Sequence, residues 1–221
     1  RTGFGDGPGL TQNQKAAGSG IEKVYGDLPN NGQFPDIVKD LFTLDSAEYA
    51  AALDQLAGAE YAQLMQSVLG STGQLNASIT DRMDCSVETN LQSQGADARK
   101  GCFDPNKVQM WARVGGAWNN ADGDVEAPGY DETQTSIYIG GDYAINTNVF
   151  IGAVGGYFNS SMDFDDWGGR NGASMNYDGG QIALYGGYDD GTWYGRNILS
   201  YGFYSGDSRR SFGITSAPQA L

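Results

Sequence analysis

"SIYIGGDYAINTNVFIGAVGGYF", Ser136 to Phe158, is the stretch on which the fold of this chain turns. It reads as two extended segments around the polar turn "AINTN", with five glycines, five aromatic residues and a single charge, Asp142. Alternate residues of a strand face opposite sides of a sheet. In the first segment that alternation separates Ile137, Ile139 and Tyr143 from Ser136, Tyr138, Gly140 and Asp142, so one face is apolar and the other polar or small. The second segment, Val149–Phe158, is apolar on both faces, and the pattern leaves its orientation open.

Outward from this hairpin the same rhythm continues. Five extended segments of about ten residues are predicted, a strand length that suits a membrane crossing: Val108–Trp118, Thr133–Tyr143, Val149–Phe158, Ala173–Tyr188 and Thr192–Tyr204. Their connections run long, short, long, short: "NNADGDVEAPGYDE" and "NSSMDFDDWGGRNG" are acidic and glycine-rich, whereas "AINTN" and "DDG" are tight turns. An antiparallel meander through a membrane has this alternation, with short turns on the periplasmic side and long loops outside. The first segment sets Val108, Met110, Ala112 and Val114 against Gln109, Trp111 and Arg113, and the fourth sets Ile182, Leu184 and Tyr188 against Gln181 and Tyr185. In the fifth, Asn197 interrupts the apolar set between Trp193 and Leu199. Trp118, Tyr143, Tyr157, Phe158, Tyr188, Trp193 and Tyr204 fall at strand ends, where a barrel's interface girdles sit. Gly140, Gly141, Gly155, Gly156, Gly186 and Gly187 are placed to admit a lumenal helix and to let the sheet coil.

Bulk composition removes several classes of function. Thirteen basic against 27 acidic side chains argue against a nucleic-acid partner and against anionic cytoplasmic lipid. The absence of histidine removes the commonest general base and metal ligand. No run of about 20 apolar residues offers a membrane helix. "RTGFGDGPGL" is no signal peptide, so either the protein is not exported or its natural N-terminus lies upstream. Cys85 and Cys102 flank a polar stretch. In an oxidising compartment they would close a loop worth about 3 kcal/mol; otherwise they are two unrelated thiols.

The first 106 residues hold only 7 of the 26 aromatics and read as helical. Thr11 and Gln14 fit a capping box, predicting a helix to about Tyr25, and a short helix follows near Pro35–Phe42. In "SAEYAAALDQLAGAEYAQLMQSVLG" apolar residues recur at helical spacing, with a kink or break at Gly58. Beyond Gly73, Leu75, Ile79 and Met83 form a narrow apolar stripe, suited to a surface or to a polar, water-filled cavity.

These residues together resemble a bacterial autotransporter, across the junction of its secreted passenger and its outer-membrane translocator barrel. "TQNQKAAGSGIEKVYGDLP" and "YAAALDQLAGAEYAQL" are similar to the segments preceding the barrel. "VQMWARVGGAW" is similar to its first strand, and the opening hairpin to the family's G-x-D-Y and GxxxGY pattern. "DGGQIALYGGYDDGTWYGRNILSYGFYSGDSRR" continues in the expected order. The resemblance implies an α plus all-β chain with three parts: the end of the passenger over residues 1–10, a helical linker with a pore helix over 11–106, and the first part of a twelve-stranded barrel over 107–221. The pore helix would be Gly73–Asp84, extending as far as Asn90. The implied partners are the chain's own passenger, outer-membrane lipid and the barrel-assembly machinery, with no cofactor and no enzyme activity. The cysteine pair departs from the family's commonest pattern. Five strands, with a sixth begun at Ser211–Ile214, are too few to close a barrel, so further strands downstream are expected.

Other chemistry is thinly signalled. Gly206-Asp207-Ser208 starts like an esterase motif, but its serine would need a histidine. Asp163, Asp165 and Asp166, and Asp122, Asp124 and Glu126, read as solvated acidic loops rather than calcium sites. Asn76, Asp81, Asp84 and Asn90 are, by residue type only, candidates for passenger cleavage within the pore. The rival functional reading is a soluble secreted adhesin presenting acidic loops from a β-sheet. The two differ in whether Ile137, Ile139, Ile182 and Leu184 face outward or a closed interior.

Overall fold

The computed structural model describes residues 3–27, 36–84, 106–169, 172–190 and 192–210. Four helices precede five strands: α1 Gln12–Asp27, α2 Asp36–Thr43, α3 Ser46–Ala57, α4 Ala59–Asp84, then β1 Val108–Ala121, β2 Tyr130–Ala144, β3 Val149–Phe164, β4 Ser174–Asp189 and β5 Tyr194–Arg209. The strands form one antiparallel meander in the order β1-β2-β3-β4-β5. Among the described residues β1 and β5 pair on one side only, so the sheet is open.

Local sequence explains the helix boundaries. Thr11 and Gln14 make the predicted reciprocal bonds, Thr11 N–H to Gln14 Oε1 at 2.9 Å and Gln14 N–H to Thr11 Oγ1 at 3.3 Å. A second capping box, unread in the sequence, starts α3, where Asp45 accepts from Ala47 N and Glu48 N and Glu48 answers to Asp45 N. Gly58 adopts φ 65°, a left-handed conformation that ends α3 without a Cβ penalty, so the helices break there. The separate helix expected from Gly73 is corrected: α4 runs unbroken for 26 residues through Gly70 and Gly73. That gives it about 39 Å of length. Among the described residues no helix is long and apolar enough to cross a membrane by itself.

The strands are 14 to 16 residues long rather than about ten. Much of each "long loop" is ladder: β2 begins at Tyr130, and Asp131–Asp163 and Glu132–Met162 are paired. The connections shrink to residues 122–129 and 165–173 on one side and 145–148 and 190–193 on the other, and the long-short alternation persists. In the short turns Asn146 Oδ1 accepts from the Asn148 and Val149 amides, and Asp190 Oδ1 from those of Thr192 and Trp193.

Three apolar clusters hold these parts together. Leu10, Leu41, Tyr49, Ala52 and Leu53 unite the first three helices. Leu75, Ile79 and Met83 of α4 pack on Tyr138, Val154, Ala183 and Tyr185 from three strands. Nearer the long loops, Tyr130, Phe158, Met162, Met175 and Tyr177 receive Leu64 and Val68 of α4. The helix therefore covers one face of the sheet along its length.

Candidate functional site

The outer face of the sheet, opposite α4, carries a continuous apolar band. Cross-strand register stacks it in rows: Val114, Ile137, Tyr157, Gly180 and Phe203; Ala112, Ile139, Gly155, Ile182 and Tyr201; Met110, Gly141, Ala153, Leu184 and Leu199. Ile137, Ile139, Ile182 and Leu184 are 44, 55, 55 and 62 % exposed. Five such rows, from Val149, Tyr188 and Gly195 upward, take in β3 from Val149 to Tyr157, the length of a tilted membrane-crossing strand, about 9–11 residues. Above Val114 the outer face turns polar, through Thr135, Asn159, Asp178 and Ser205.

The pattern also settles the strands that periodicity left open. In β3, Val154, Phe158 and Met162 are buried beneath α4, while Ile151 and Tyr157 are exposed on the band. Two members of the expected girdle are therefore corrected. Phe158 and Tyr204 turn inward, 5.3 Å apart edge to face, because β3 and β5 run on past them and parity puts both on the helix side. Tyr143, Tyr157, Tyr188, Trp118 and Trp193 remain exposed. Asn197 lies on the outer face at the short-turn end, opposite Gly186.

Inward glycines accommodate neighbouring rings rather than the helix, a second correction. Trp111 lies directly opposite Gly140, where an added Cβ would meet its ring at 2.5 Å. Gly156 opposite Tyr138 and Gly152 opposite Tyr185 are occupied in the same way. Gly155, one residue from Gly156, has open space and no such partner.

Between sheet and helix lie two polar regions of different character. Toward the long loops, the buried Glu132 carboxylate accepts from Ser67 Oγ, from Gln134 Nε2 and Ser160 Oγ at 2.7 Å, from Tyr177 OH at 3.0 Å and from Asn119 Nδ2 at 2.9 Å. Gln74 Nε2 donates to Gln134 Oε1 at 2.7 Å, and Thr72 Oγ1 lies 3.1 Å from Tyr204 OH. Toward the short turns the contacts are ionic. Asp81 meets Arg113 at 2.7 Å, Arg82 meets Asp142 at 2.8 Å, and Asp84 meets Arg196. Arg82 also donates to Gln109 Oε1 at 2.8 Å; Tyr185 OH donates to Asp142, and Trp111 Nε1 donates to Tyr185 OH at 2.8 Å.

Chain direction follows from these anchors. Residues Gln63, Ser67, Gln74 and Arg82 of α4 meet Pro128, Glu132, Gln134 and Asp142 in turn, so α4 runs from the long-loop end to the short-turn end. From Ser67 to Arg82 is about 22 Å of helix, and from Glu132 to Asp142 about 34 Å of strand. The ratio corresponds to strands inclined roughly 45–50° to the helix, near the tilt of a barrel wall. The first three helices sit at the long-loop end. The Glu126 carboxylate caps α1, accepting from Gln12 N and Asn13 N at 2.9 Å, and Gln55 Nε2 donates to Gly168 O at 2.8 Å. Those two amide bonds hold Glu126 below the usual carboxylate range. Burial, partly offset by Gln14, raises Asp54 beside it.

The remaining singled-out residues take structural places. Asp124 accepts from the Glu126 and Ala127 amides and Asp166 from the Gly172 amide; among the described residues no group of three or more His, Cys, Asp or Glu side chains could hold a metal. Ser208 lies near the end of β5, its hydroxyl 3.4 Å from Tyr61 OH. Asn76 faces inward from α4, whereas Asn90, Cys85, Cys102 and Ser211–Ile214 lie outside the described residues. Sequence reasoning missed Glu132, Arg113 and Arg196 as lumenal partners, although strand parity pointed all three inward. Compared with known proteins, residues 110–220 match the family described as Autotransporter beta-domain. No curated protein and no solved structure matches the chain.

Proposed function

Since the chain belongs to the autotransporter β-domain family, whose members are outer-membrane translocators rather than enzymes, we propose that it exports an N-terminal passenger to the cell surface and then anchors it, α4 coming to rest in the pore. The observation that carries this reading is the direction of α4. The N-terminal helices sit among the long loops, the helix descends through the inner face, and β1 starts at Val108 beside the short turns. A chain threaded that way has its N-terminal side outside and its barrel entry on the periplasmic side.

On this reading residues 1–10 end the passenger, 11–106 form the linker and pore helix, and 107–221 contribute the first strands of the barrel. Barrel-assembly machinery would insert those strands, outer-membrane lipid would cover the exposed band, and Cys85 and Cys102 would pair in the oxidising periplasm. We assign the chain no cofactor and no enzyme activity of its own. Exposure of Ile137, Ile139, Ile182 and Leu184 favours lipid over the soluble adhesin, which would bury them.

Epitope accessibility in cells expressing the full-length gene product tests the assignment. An epitope inserted at Gly9, where nothing lies within 4 Å, is expected to bind antibody on intact cells. An epitope in residues 145–148 should bind only after permeabilisation. The reverse pattern overturns the proposal.

A further inference from the structure

The apolar contact between the last turns of α4 and the wall does not by itself fix the helix's depth. Leu75, Ile79 and Met83 recur every four residues. A slide of one turn toward the long loops would put Ile79 and Met83 where Leu75 and Ile79 now sit. Two apolar side chains would replace two others of similar size, a change that cores tolerate.

The charges do not repeat in this way. The last turn of α4 presents Asp81, Arg82 and Asp84, in the sign order minus, plus, minus, to Arg113 of β1, Asp142 of β2 and Arg196 of β5, in the order plus, minus, plus. Contacts fall on both flanks of the apolar stripe, with β1 and β2 on one side and β5 on the other. A one-turn slide toward the long loops carries Asp81, Arg82 and Asp84 about 5.4 Å away from these three partners. Asp142 is the decisive loss, because its side chain is only 1 % exposed and cannot recover its partner from water. A slide of one turn the other way brings Ala77, Ser78 and Thr80 and loses all three pairs.

We infer that these three ion pairs are a registry lock that stops α4 at one depth and one rotation in the pore. The inference rests on the proposed export role, and it gives the lock a direction. A departing passenger pulls the helix toward the long loops, the slide that the apolar stripe permits. Arg82, Asp81 and Asp84, with their wall partners, are positioning residues that end the transit.

Trapping of cysteine pairs with a short bifunctional thiol reagent in the full-length gene product, in outer membranes and with Cys85 and Cys102 changed to serine, reads the register directly. Gln74→Cys with Ser136→Cys, bridged by the reagent, reports the native depth, since the far end of the Gln74 side chain lies 3.5 Å from the Ser136 hydroxyl. Ser78→Cys with Ser136→Cys reports the one-turn slide. With the lock intact, the native pair is expected to trap in at least about hundredfold preference, the scale of an unpaired buried charge. A lock-free variant, Asp81→Asn, Arg82→Met and Asp84→Asn with Asp142→Asn, should trap both pairs at comparable rates. Undiminished preference in that variant overturns the inference. Should it fail to reach the heat-modifiable folded form, the exchange Arg82→Asp with Asp142→Arg is read instead. Native preference in the exchange, against its loss in either single change, supports the lock, and equal trapping of both pairs overturns it. The Gly9 epitope separates the two claims: if it is inaccessible in the parent, the export reading fails, whereas an accessible epitope with unchanged trapping removes only the lock.

Discussion

Arg82→Met should be the most damaging single change in the last turn of α4, and more damaging than removal of its partner. The Asp142 side chain is 1 % exposed, and Arg82 Nε and one guanidinium nitrogen each reach its Oδ2 at 2.8 Å. Without Arg82 the carboxylate keeps the Tyr185 hydroxyl as a donor but has lost its cation. Breaking a buried pair from that side costs about 3–5 kcal/mol. Asp142→Asn is gentler, because Arg82 is 24 % exposed and keeps Gln109 at 2.8 Å, so its charge can hydrate. The loss there is about 1.5–2 kcal/mol, the low end for a hydrogen bond to a charged group. The double variant removes both charges, and its cost should be about 2–3 kcal/mol, well short of the sum of the singles. Urea unfolding at pH 7 of the full-length product in detergent, followed by tryptophan fluorescence, measures all three; Trp111 donates to Tyr185 and reports on this site. The reasoning is refuted if Arg82→Met costs no more than Asp142→Asn, or if the double variant equals the sum within about 0.5 kcal/mol.

Three further outcomes follow from the geometry. Leu184→Arg, in the middle row of the apolar band, should cost about 2–4 kcal/mol in a bilayer, whereas Thr135→Arg, one row above the band, should cost about 0–1 kcal/mol; equal costs in a lipid refolding titration would remove the band's assignment to lipid. Gly156→Ala must displace the buried Tyr138 ring and should cost about 1–3 kcal/mol, whereas Gly155→Ala meets nothing within 4 Å and should be neutral within about 0.5 kcal/mol; the same unfolding assay distinguishes them. Glu126 is held below its ordinary range by the Asn13 and Gln12 amides, so its support of α1 is present above that range and lost as pH falls through the lowered value. Hydrogen exchange at Gln12 and Asn13 should therefore quicken, relative to the intrinsic rate, only once the pH has fallen below the usual carboxylate range, and Glu126→Gln should abolish that step. Asp54 has the opposite sign, since burial raises it and protonation relieves the strain, so Asp54→Asn should stabilise the helical unit at neutral pH.

How much of this was legible depended on whether the two faces of a strand differed in chemistry. β1, β2 and β4 could be oriented from parity because Gln109, Arg113, Ser136, Asp142 and Gln181 mark the inner face with polar atoms. β3 could not, because its inner residues Val154, Phe158 and Met162 meet apolar side chains of the wall and helix while Ile151 and Tyr157 face outward on the band. Two different apolar surroundings leave the same trace in a sequence. The girdle errors at Phe158 and Tyr204 have a different origin. Strand ends were placed where apolar character faded, but the ladder continues through polar residues as far as Phe164 and Arg209. The capping of α1 by Glu126 spans 113 residues and leaves no local signal. The capping box at Asp45 and Glu48 was local and could have been read.

On the proposed export role, the two polar regions along α4 divide the work of transit from the work of stopping. Around Glu132 every donor is a neutral hydroxyl or amide from Ser67, Gln134, Ser160, Tyr177 and Asn119. Water can replace such donors at small cost while a chain moves past, and four of the five belong to the wall and stay behind when the helix is absent. Near the short turns the partners are full charges of fixed order, and Asp142 is shielded from solvent. A passing segment without a matching cation meets an unfavourable site there, and the last turn of α4 meets a favourable one. The lumen is therefore permissive at its outer end and selective at its inner end. The selective end is the one beside which β1 begins at Val108, so on the proposed export role the helix is caught just before the chain enters its own wall.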